Sequence, residues 1–265
     1  MIIPYGFLKQ PISDGICELS DADACLFVEN AGITEPTQRN AINQLVIDLK
    51  NANIWTKMFA IYPYVGGTAD AHKYNLKDPQ DTDAAFRLTW YGGVTHDANG
   101  YTTNDINNDG GHTQFNPSTD GMTSIDGGMT ACSYVKVDQN QYIMGSTAAL
   151  EFSILSRSTL AGGRVFSGSF CGASPVDGLL GKGVVTINRI GTSNTAWKDS
   201  VLIKTITNTG TVTNGNLDVG RAVGRASDRG TYCFNAMHNG LTATEIANFH
   251  TAIDTFSTAL SRKNW

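Results

Sequence analysis

The residue pattern with the most specific chemistry is an Asp-x-Asn-x-Asp-Gly run formed by Asp105, Asn107, Asp109 and Gly110. Oxygen atoms at alternate positions of such a loop can surround a hard cation, and the glycine permits a sharp bend. The run departs from an EF-hand because its twelfth position is Asn116 instead of a glutamate, and no helical pattern flanks it. A simple turn rich in Asn, Asp and Gly is the competing interpretation. Calcium is therefore a candidate ligand of Asp105, Asn107 and Asp109, and we expect no other cofactor.

Three aromatic side chains stand in polar surroundings that suit sugar binding. Tyr101, Tyr142 and Trp197 are in or near stretches rich in Asn, Thr and Gly. The face of an exposed aromatic ring can stack on a sugar ring, and loops carry many binding residues. Packing at the edge of the fold is the alternative role for each ring. We name these three residues as candidate glycan contacts.

Residue pairs suited to acid–base catalysis are scarce. Hydrolysis of a glycosidic bond needs two carboxylic groups placed together. Glu151 is the one glutamate in a predicted strand of the second half, and it has no acidic neighbour two or four positions away. The histidines lack the spacing of a zinc site, and no Gly-x-Ser-x-Gly, Walker or dinucleotide motif is present. We therefore expect a protein without catalytic activity.

The composition favours a mainly β protein. Apolar residues make up 41% of the 265 residues, charged residues only 16%, and 28 residues are Gly. Many turns and few charged helix surfaces are typical of short strands. One large all-β domain of this length is ordinary.

The charge pattern excludes two classes of partner. The net charge is −5, and no more than two basic residues are adjacent, so a face that neutralises phosphates is not expected. No run of about 18 apolar residues is present, which argues against membrane insertion. The first residues do not resemble a signal peptide, so we expect synthesis in a cytoplasm.

The five cysteines do not form a metal-binding pattern. They are Cys17, Cys25, Cys132, Cys171 and Cys233, with no Cys-x-x-Cys pair. Structural zinc sites use closely spaced cysteine pairs. We expect buried free thiols, as is common in proteins that fold in a reducing cytoplasm.

Three stretches are predicted to be helical. A short helix begins near Ser20. A second begins at Thr34 and has Pro36 in its first turn, where a missing N–H costs nothing. A third begins at the capping box of Thr242 and Glu245. Both longer helices carry an apolar stripe at helical spacing, formed by Ile42, Leu45, Val46 and Leu49 and by Ile246, Phe249, Ile253, Phe256 and Leu260.

Short strand candidates follow one another at regular spacing in the second half. Such spacing, with turns rich in Gly, Asn and Thr, indicates a β-sandwich instead of βαβ units. An earlier strand is predicted over 85–91, and the stretch 94–130 is predicted to be mostly loop. The later candidates are 130–137, 141–144, 148–155, 164–170, 183–190, 200–206, 216–219 and 231–237.

The chain is predicted to have two parts. Residues 1–55 form an N-terminal arm and helical attachment segment, and residues 56–265 form a sandwich closed by the C-terminal helix. The start of the arm is broken by Pro4 and Pro11 and is too apolar for a free tail. We expect it to pack on this protein or on a partner.

Several segments, mostly outside the middle of the chain, carry a family resemblance. They are PYGFLK at 4–9, ITEPTQ at 33–38, WTKM at 55–58, AIYPYVGGT at 60–68, HKYNLKDP at 72–79, AFRL at 85–88 and the run 240–262. Together they resemble a family of virion proteins of tailed bacteriophages, described as tail-fibre, head-fibre or structural proteins. Its members are common in phages and prophages of Bacteroidetes, including crAss-like phages.

The resemblance implies a fold and a role. It implies a concanavalin A-like (LamG-type) jelly-roll sandwich and a structural or adhesive function in the virion, and it supplies no catalytic residues. The partners implied are other virion proteins, bound through the arm, further copies of the chain in a homo-oligomer such as a trimer, and a host surface glycan. The protein would be assembled into particles in the cytoplasm of the bacterial host.

Two alternatives remain open. One is a carbohydrate-binding module that is not attached to a virion. The other is a sandwich-fold glycosidase, which the missing carboxylate pair disfavours. An export signal would favour the first alternative, and activity on a capsule polysaccharide would favour the second.

Overall fold

The computed structural model contains four helices and fifteen strands in its described part. The described residues are 17–104, 109–136, 141–146, 152–156, 164–167, 182–207, 210–223 and 229–265. The predicted arm and the residues Asp105, Asn107, Glu151 and Cys171 lie outside them. The strands form two mainly antiparallel sheets, which confirms the predicted mainly β sandwich.

The helices begin and end as local chemistry dictates. The side chain of Asp21 caps α1 (Ala22–Asn30), and that of Glu35 caps α2 (Pro36–Asn51). A short α3 (Ala69–His72) follows. The C-terminal helix α4 (Ala243–Ala259) has the predicted capping box of Thr242 and Glu245. None of these helices is both long and apolar enough to cross a membrane.

The first sheet has eight strands. Its order is β12-β11-β10-β6-β15-β4-β3, and β1 also pairs with β15. The bounds are β1 Met58–Tyr62, β3 Thr95–Asp97, β4 Gly100–Asn104, β6 Asp126–Lys136, β10 Gly183–Ile190, β11 Ser193–Lys198, β12 Val201–Thr207 and β15 Arg229–His238.

The second sheet has seven strands. Its order is β2-β5-β13-β7-β8-β9, with β14 paired in parallel to β7. The bounds are β2 Thr89–Tyr91, β5 Gly110–His112, β7 Gln141–Ser146, β8 Phe152–Ser156, β9 Arg164–Ser167, β13 Asp218–Val219 and β14 Ala222–Val223.

Alternate residues of the first sheet enter two different apolar cores. Ile61 and Val184 pack with the helices, whereas Ala60, Tyr62 and Val185 pack with the second sheet. This two-residue alternation is the geometry of a strand buried on both faces. The first sheet is therefore the middle layer, with the helices on one side and the second sheet on the other.

The helices near the N-terminus share one apolar core with the C-terminal helix and the first sheet. The stripe of α2 (Ile42, Leu45, Val46 and Leu49) is buried, and α2 packs on α4. The boundary between residues 55 and 56 stays a prediction. The helices on the N-terminal side of this boundary, α1 and α2, bury their apolar faces in the same core as α4 and the first sheet.

The expectation that all five cysteines are free thiols is wrong. Cys17 and Cys25 form a disulfide, while Cys132 and Cys233 are buried thiols. The side chain of Cys25, on α1, faces back toward the segment that precedes the helix, where Cys17 lies. The two cysteines are eight positions apart in the sequence, and the turn into α1 brings their sulfurs together.

Candidate functional site

Three short strands of the second sheet place polar side chains on one face. In β2, Trp90 points into the core, so its neighbour Tyr91 points to the opposite face. In β13, Val219 enters the same core, and Asp218 therefore points away from it. His112 of β5 pairs with Asp218 across the ladder, so both lie on the outer face.

The carboxylate of Asp218 is the centre of this group. It is fully buried. Its Oδ1 lies 2.5 Å from Nδ1 of His112, and its Oδ2 accepts hydrogen bonds from the Tyr91 hydroxyl at 2.7 Å and from Nε of Arg221 at 2.9 Å. We call Tyr91, His112, Asp218 and Arg221 the Asp218 cluster. A buried carboxylate needs this number of donors, because water cannot reach it.

Aromatic contacts hold the cluster together. The guanidinium of Arg221 lies 4.3 Å from the centre of the Tyr91 ring, and the His112 and Tyr91 rings are 4.6 Å apart. Burial and the negative charge of Asp218 raise the pKa of Tyr91. The phenol therefore stays protonated and keeps donating to the carboxylate.

Close approach of the strands requires a glycine beneath Tyr91. A Cβ atom at Gly110 would lie 2.6 Å from the Val219 carbonyl oxygen and 2.8 Å from the Tyr91 hydroxyl. Side-chain carbon atoms do not occupy such distances. Gly110 therefore allows the Tyr91 hydroxyl to reach Asp218.

The cluster presents a partly exposed imidazole to a ligand. A carboxylate only accepts hydrogen bonds, so Nδ1 of His112 carries a proton, and Nε2 is an acceptor whenever the ring is neutral. The His112 side chain is 42% exposed. Arg221 donates to Asp218 through Nε, and its side chain is only 11% exposed, so His112 is the more accessible of the two to a ligand. An imidazole nitrogen can form a hydrogen bond with a ligand hydroxyl.

Tyr101 is not a glycan contact. It belongs to β4 and is fully buried, with its ring 4.8 Å from that of Tyr64 and 5.1 Å from that of Trp90. Its hydroxyl contacts Asn235 Oδ1 at 3.3 Å. The prediction was wrong because a stretch expected to be loop is strand β4 of the first sheet, and the Tyr101 side chain enters the core between the two sheets.

The other two predicted stacking residues differ in outcome. Trp197 lies in β11 and is only 9% exposed, with its ring in the core under the helices, so its assignment is also wrong. Its neighbours Asn194 and Thr195 made a strand look like a polar loop. Tyr142 is half-buried in β7, and its role stays a prediction.

The calcium assignment stays a prediction, because Asp105 and Asn107 lie outside the described residues. Asp109 is described and buried. Its Oδ1 accepts from the N–H of Gly93 at 2.6 Å, and its Oδ2 accepts from that of Asn104 at 3.1 Å. Oδ1 thus stabilises the turn after β2, and Oδ2 stabilises the end of β4. Within the described residues, no group of three or more His, Cys, Asp or Glu could hold a metal ion.

A second polar group lies beside the core at α3. His72 and His96 face each other with their Nδ1 atoms 3.0 Å apart, so one ring donates and the other accepts. Burial lowers the pKa of His72 far below its ordinary value and that of His96 to about 4. Both rings are neutral at pH 7, and His72 packs against Tyr64. This pair has the features of core packing, because His72 is buried.

Sequence reasoning missed all four members of the Asp218 cluster. Asp218 is 106 residues from His112 and 127 from Tyr91. No local motif joins them, and only the strand register brings them together. The only part of the cluster visible in the local sequence is the pair Asp218 and Arg221, three positions apart, and such a spacing of opposite charges is common in turns.

Comparisons with known proteins identify the fold. No family model and no curated protein sequence matches the chain. A mutant of Trypanosoma rangeli sialidase displaying trans-sialidase activity aligns with a TM-score of 0.53 and 12% identity, over 82% of this chain and 39% of its own. This chain thus spans about two-fifths of the sialidase. At this identity the likeness shows a shared fold.

Two further solved structures are similar at a lower level. Domain 4 of an extracellular GH43 arabinanase from Geobacillus stearothermophilus, in complex with arabinotriose, aligns over 73% of this chain and 98% of its own, with 11% identity and a TM-score of 0.46. The receptor-binding domain of botulinum neurotoxin type G aligns over 74% and 51%, with 13% identity and a TM-score of 0.39.

Proposed function

We propose that this protein is a non-enzymatic structural component of a tailed-bacteriophage virion, a fibre or decoration protein, and that it binds host surface glycans through the Asp218 cluster. The observation that carries the binding half is the buried Asp218 carboxylate that orients a partly exposed His112. Orienting a surface imidazole with a buried charge costs desolvation energy that a purely structural surface does not need.

The chemistry of the cluster matches a sugar. Sugar hydroxyls both donate and accept, so they are recognised by fixed groups of both kinds. In this proposal Nε2 of the partly exposed His112 forms a hydrogen bond with a sugar hydroxyl, and the Arg221 guanidinium, held against the Tyr91 ring, stabilises the site. His112 also lies within the stretch 94–130, which the sequence predicts to be mostly loop.

The bonding of Asp218 argues against a role for this residue as one of the two carboxylic groups of a glycosidase. A glycosidase needs one carboxylic acid that protonates the leaving oxygen and a second carboxylate on the other side of the bond. Both oxygens of Asp218 are engaged by protein donors, and the group is fully buried. It supports His112 and does not face a substrate.

The virion half of the proposal rests on the sequence resemblance. The segments at 55–58, 60–68 and 72–79 carry it. They contain most of β1 and the residues on either side of α3, so they form the connection from the N-terminal helices into the first sheet. In this proposal the first residues attach the protein to other virion proteins, and copies of the chain associate as a homo-oligomer.

Two experiments test the two halves separately. For binding, the purified protein is applied to an array of bacterial surface polysaccharides, and we expect binding to at least one class of glycan. An array without any binding would remove the adhesive function. For location, purified phage particles are analysed by mass spectrometry, and we expect peptides of this chain at a stoichiometry of several copies per particle.

The alternatives give different results in the same experiments. A carbohydrate-binding module without a virion would bind glycans but be missing from particles. A glycosidase would release reducing ends from the bound polysaccharide, and we expect no such release. Detection of reducing ends that depends on Asp218 would contradict the non-enzymatic assignment.

A further inference from the structure

We infer that Cys132 and Cys233 form a second disulfide, which links the two central strands of the first sheet. In this structure they are neighbouring thiols on β6 and β15. The two sulfurs are 3.0 Å apart, and the Cys233 sulfur also lies 3.5 Å from the Cys132 carbonyl oxygen. Both side chains are buried, at 0% and 1% exposure.

A β-bulge brings the two sulfurs to one face. The ladder pairs Tyr232 with Ser133 and Phe234 with Cys132, so Cys233 is the extra residue on β15. Simple alternation would place Cys233 and Phe234 on opposite faces. Both nevertheless enter the core under the helices, where Cys132 also lies.

The same bulge places the backbones of the two cysteines beside each other. Two residues of a bulged strand oppose one residue of its partner, so Cys233 and Phe234 both face Cys132. Neighbouring strands lie about 4.8 Å apart, and disulfides span Cα separations of about 4.4–6.8 Å. Forming the bond therefore needs a closer approach of the two sulfurs and no change in strand pairing.

The cysteine inventory favours pairing. The chain already holds the Cys17–Cys25 disulfide, so it is a protein in which thiols are oxidised. Of the five cysteines, a second pair at Cys132 and Cys233 leaves only Cys171. The odd number of cysteines in the sequence is then accounted for, because two disulfides use four of the five.

The reaction needs an oxidant, which we take to be a small-molecule disulfide such as oxidised glutathione. One protein thiolate attacks the oxidant and releases a thiol, and the second protein thiolate then displaces the other half. The two cysteines lose two protons and two electrons and gain the S–S bond, while the oxidant becomes two thiols. Burial raises the pKa of Cys132, so the reaction proceeds while the chain folds or the strands open, and not in the closed sheet.

Peptide mapping distinguishes the possible states. The protein is refolded with oxidised glutathione, denatured in acid, alkylated with N-ethylmaleimide and digested with trypsin without reductant. The Lys and Arg positions place Cys17 and Cys25 together in peptide 10–39. Cys132, Cys171 and Cys233 fall in three different peptides, 88–136, 165–182 and 230–262.

The expected product is peptide 88–136 linked to peptide 230–262, with the alkyl group on Cys171. Alkylation of both Cys132 and Cys233 would overturn the inference, whatever the state of Cys17 and Cys25. A link from either residue to Cys171 would also overturn it.

A variant keeps the test independent of refolding yield. Cys132→Ser removes one sulfur, so the soluble fraction should carry alkyl groups on both Cys171 and Cys233. The denaturant midpoint of the wild type should fall on reduction, and Cys132→Ser should show a smaller fall, arising only from Cys17–Cys25. Equal falls in the two proteins would contradict a stabilising link between β6 and β15.

Discussion

The imidazole Nε2 of His250 lies 2.8 Å from the hydroxyl of Thr186, and this contact joins α4 to the centre of the first sheet. The N–H of Ser200 donates to Nδ1 of the same ring at 2.7 Å, so the proton is on Nε2 and Thr186 accepts. Thr186 must then donate to Thr130 at 2.7 Å, and Thr130 to Nε2 of His238 at 3.1 Å. The hydrogen bonds are therefore donated in one direction, from His250 through Thr186 and Thr130 to His238. This arrangement requires both imidazole rings to be neutral.

The first prediction is that acid destabilises the protein through these two rings, in addition to the contribution of His72 and His96, whose pKa values burial also lowers. Burial lowers the pKa of His238 and of His250 to about 4 from an ordinary value of 6.5. The unfolded chain binds these protons near pH 6.5 and the folded chain does not. Stability is therefore complete above pH 6.5 and is lost as the pH falls toward 4, by on the order of 3 kcal/mol for each ring. Urea unfolding between pH 8 and pH 4.5 measures this loss.

The variant His250→Gln is the control for this prediction. It removes one titrating ring, so we expect lower stability at pH 8 but a shallower decline between pH 6.5 and 4.5. Identical declines in the variant and the wild type would show that His250 is not the source.

The second prediction concerns Arg262, which is 1% exposed. Its guanidinium donates to the carbonyl oxygens of Ala98, Pro63 and Tyr64 at 2.8, 3.1 and 2.8 Å. Arg262→Ala leaves these buried acceptors without donors, and we expect a loss of roughly 3–5 kcal/mol in unfolding free energy. Arg262→Lys should recover little, because an ammonium cannot reproduce the planar fork.

The neighbouring residue provides a matched control. Lys263 is at the surface and pairs with Asp254 at 2.6 Å. An exposed ion pair contributes little, so Lys263→Ala should change the unfolding free energy by less than about 1 kcal/mol. Similar losses for the two alanine variants would contradict the role given to Arg262.

The third prediction concerns Gly100 at the start of β4. Its φ is +129°, and an added Cβ would overlap the carbonyl oxygen of Tyr232 in the neighbouring strand. Gly100→Ala should therefore destabilise the protein by roughly 3 kcal/mol or more. Gly191 also has a positive φ, +60°, but no heavy atom within 4 Å, so Gly191→Ala should cost only about 1 kcal/mol. Thermal melts of the two variants make the comparison, and equal melting temperatures would be the contrary result.

Periodic elements were predictable from sequence because their signals are local. The buried faces of α2 and α4 follow from i, i+3, i+4 spacing, and the capping box from Thr242 and Glu245. The candidate at 183–190 coincides with β10, and most later candidates overlap strands within a few residues. The predicted strand at 85–91 is shortened because Phe86 adopts a left-handed conformation.

Strands with polar residues were not predictable in the same way. The runs Gly100–Asn104 and Ser193–Lys198 look like loops, yet pairing with β15 and β10 buries them. Tyr101 and Trp197 were misassigned for this reason. The Asp218 cluster depends on the register of β5 and β13, which long-range pairing sets and a single sequence does not reveal.

The fourth prediction tests glycan binding at the Asp218 cluster, using calorimetric titration with the polysaccharide that the array identifies. His112 is partly exposed, so His112→Ala can remove the ligand contact while Tyr91 and Arg221 still hold Asp218. We expect at least about tenfold weaker binding, as for the loss of one or two hydrogen bonds. Lys263→Ala, on the helix side of the first sheet, should bind as the wild type does. Unchanged affinity in a folded His112→Ala protein would contradict the assignment of the glycan site.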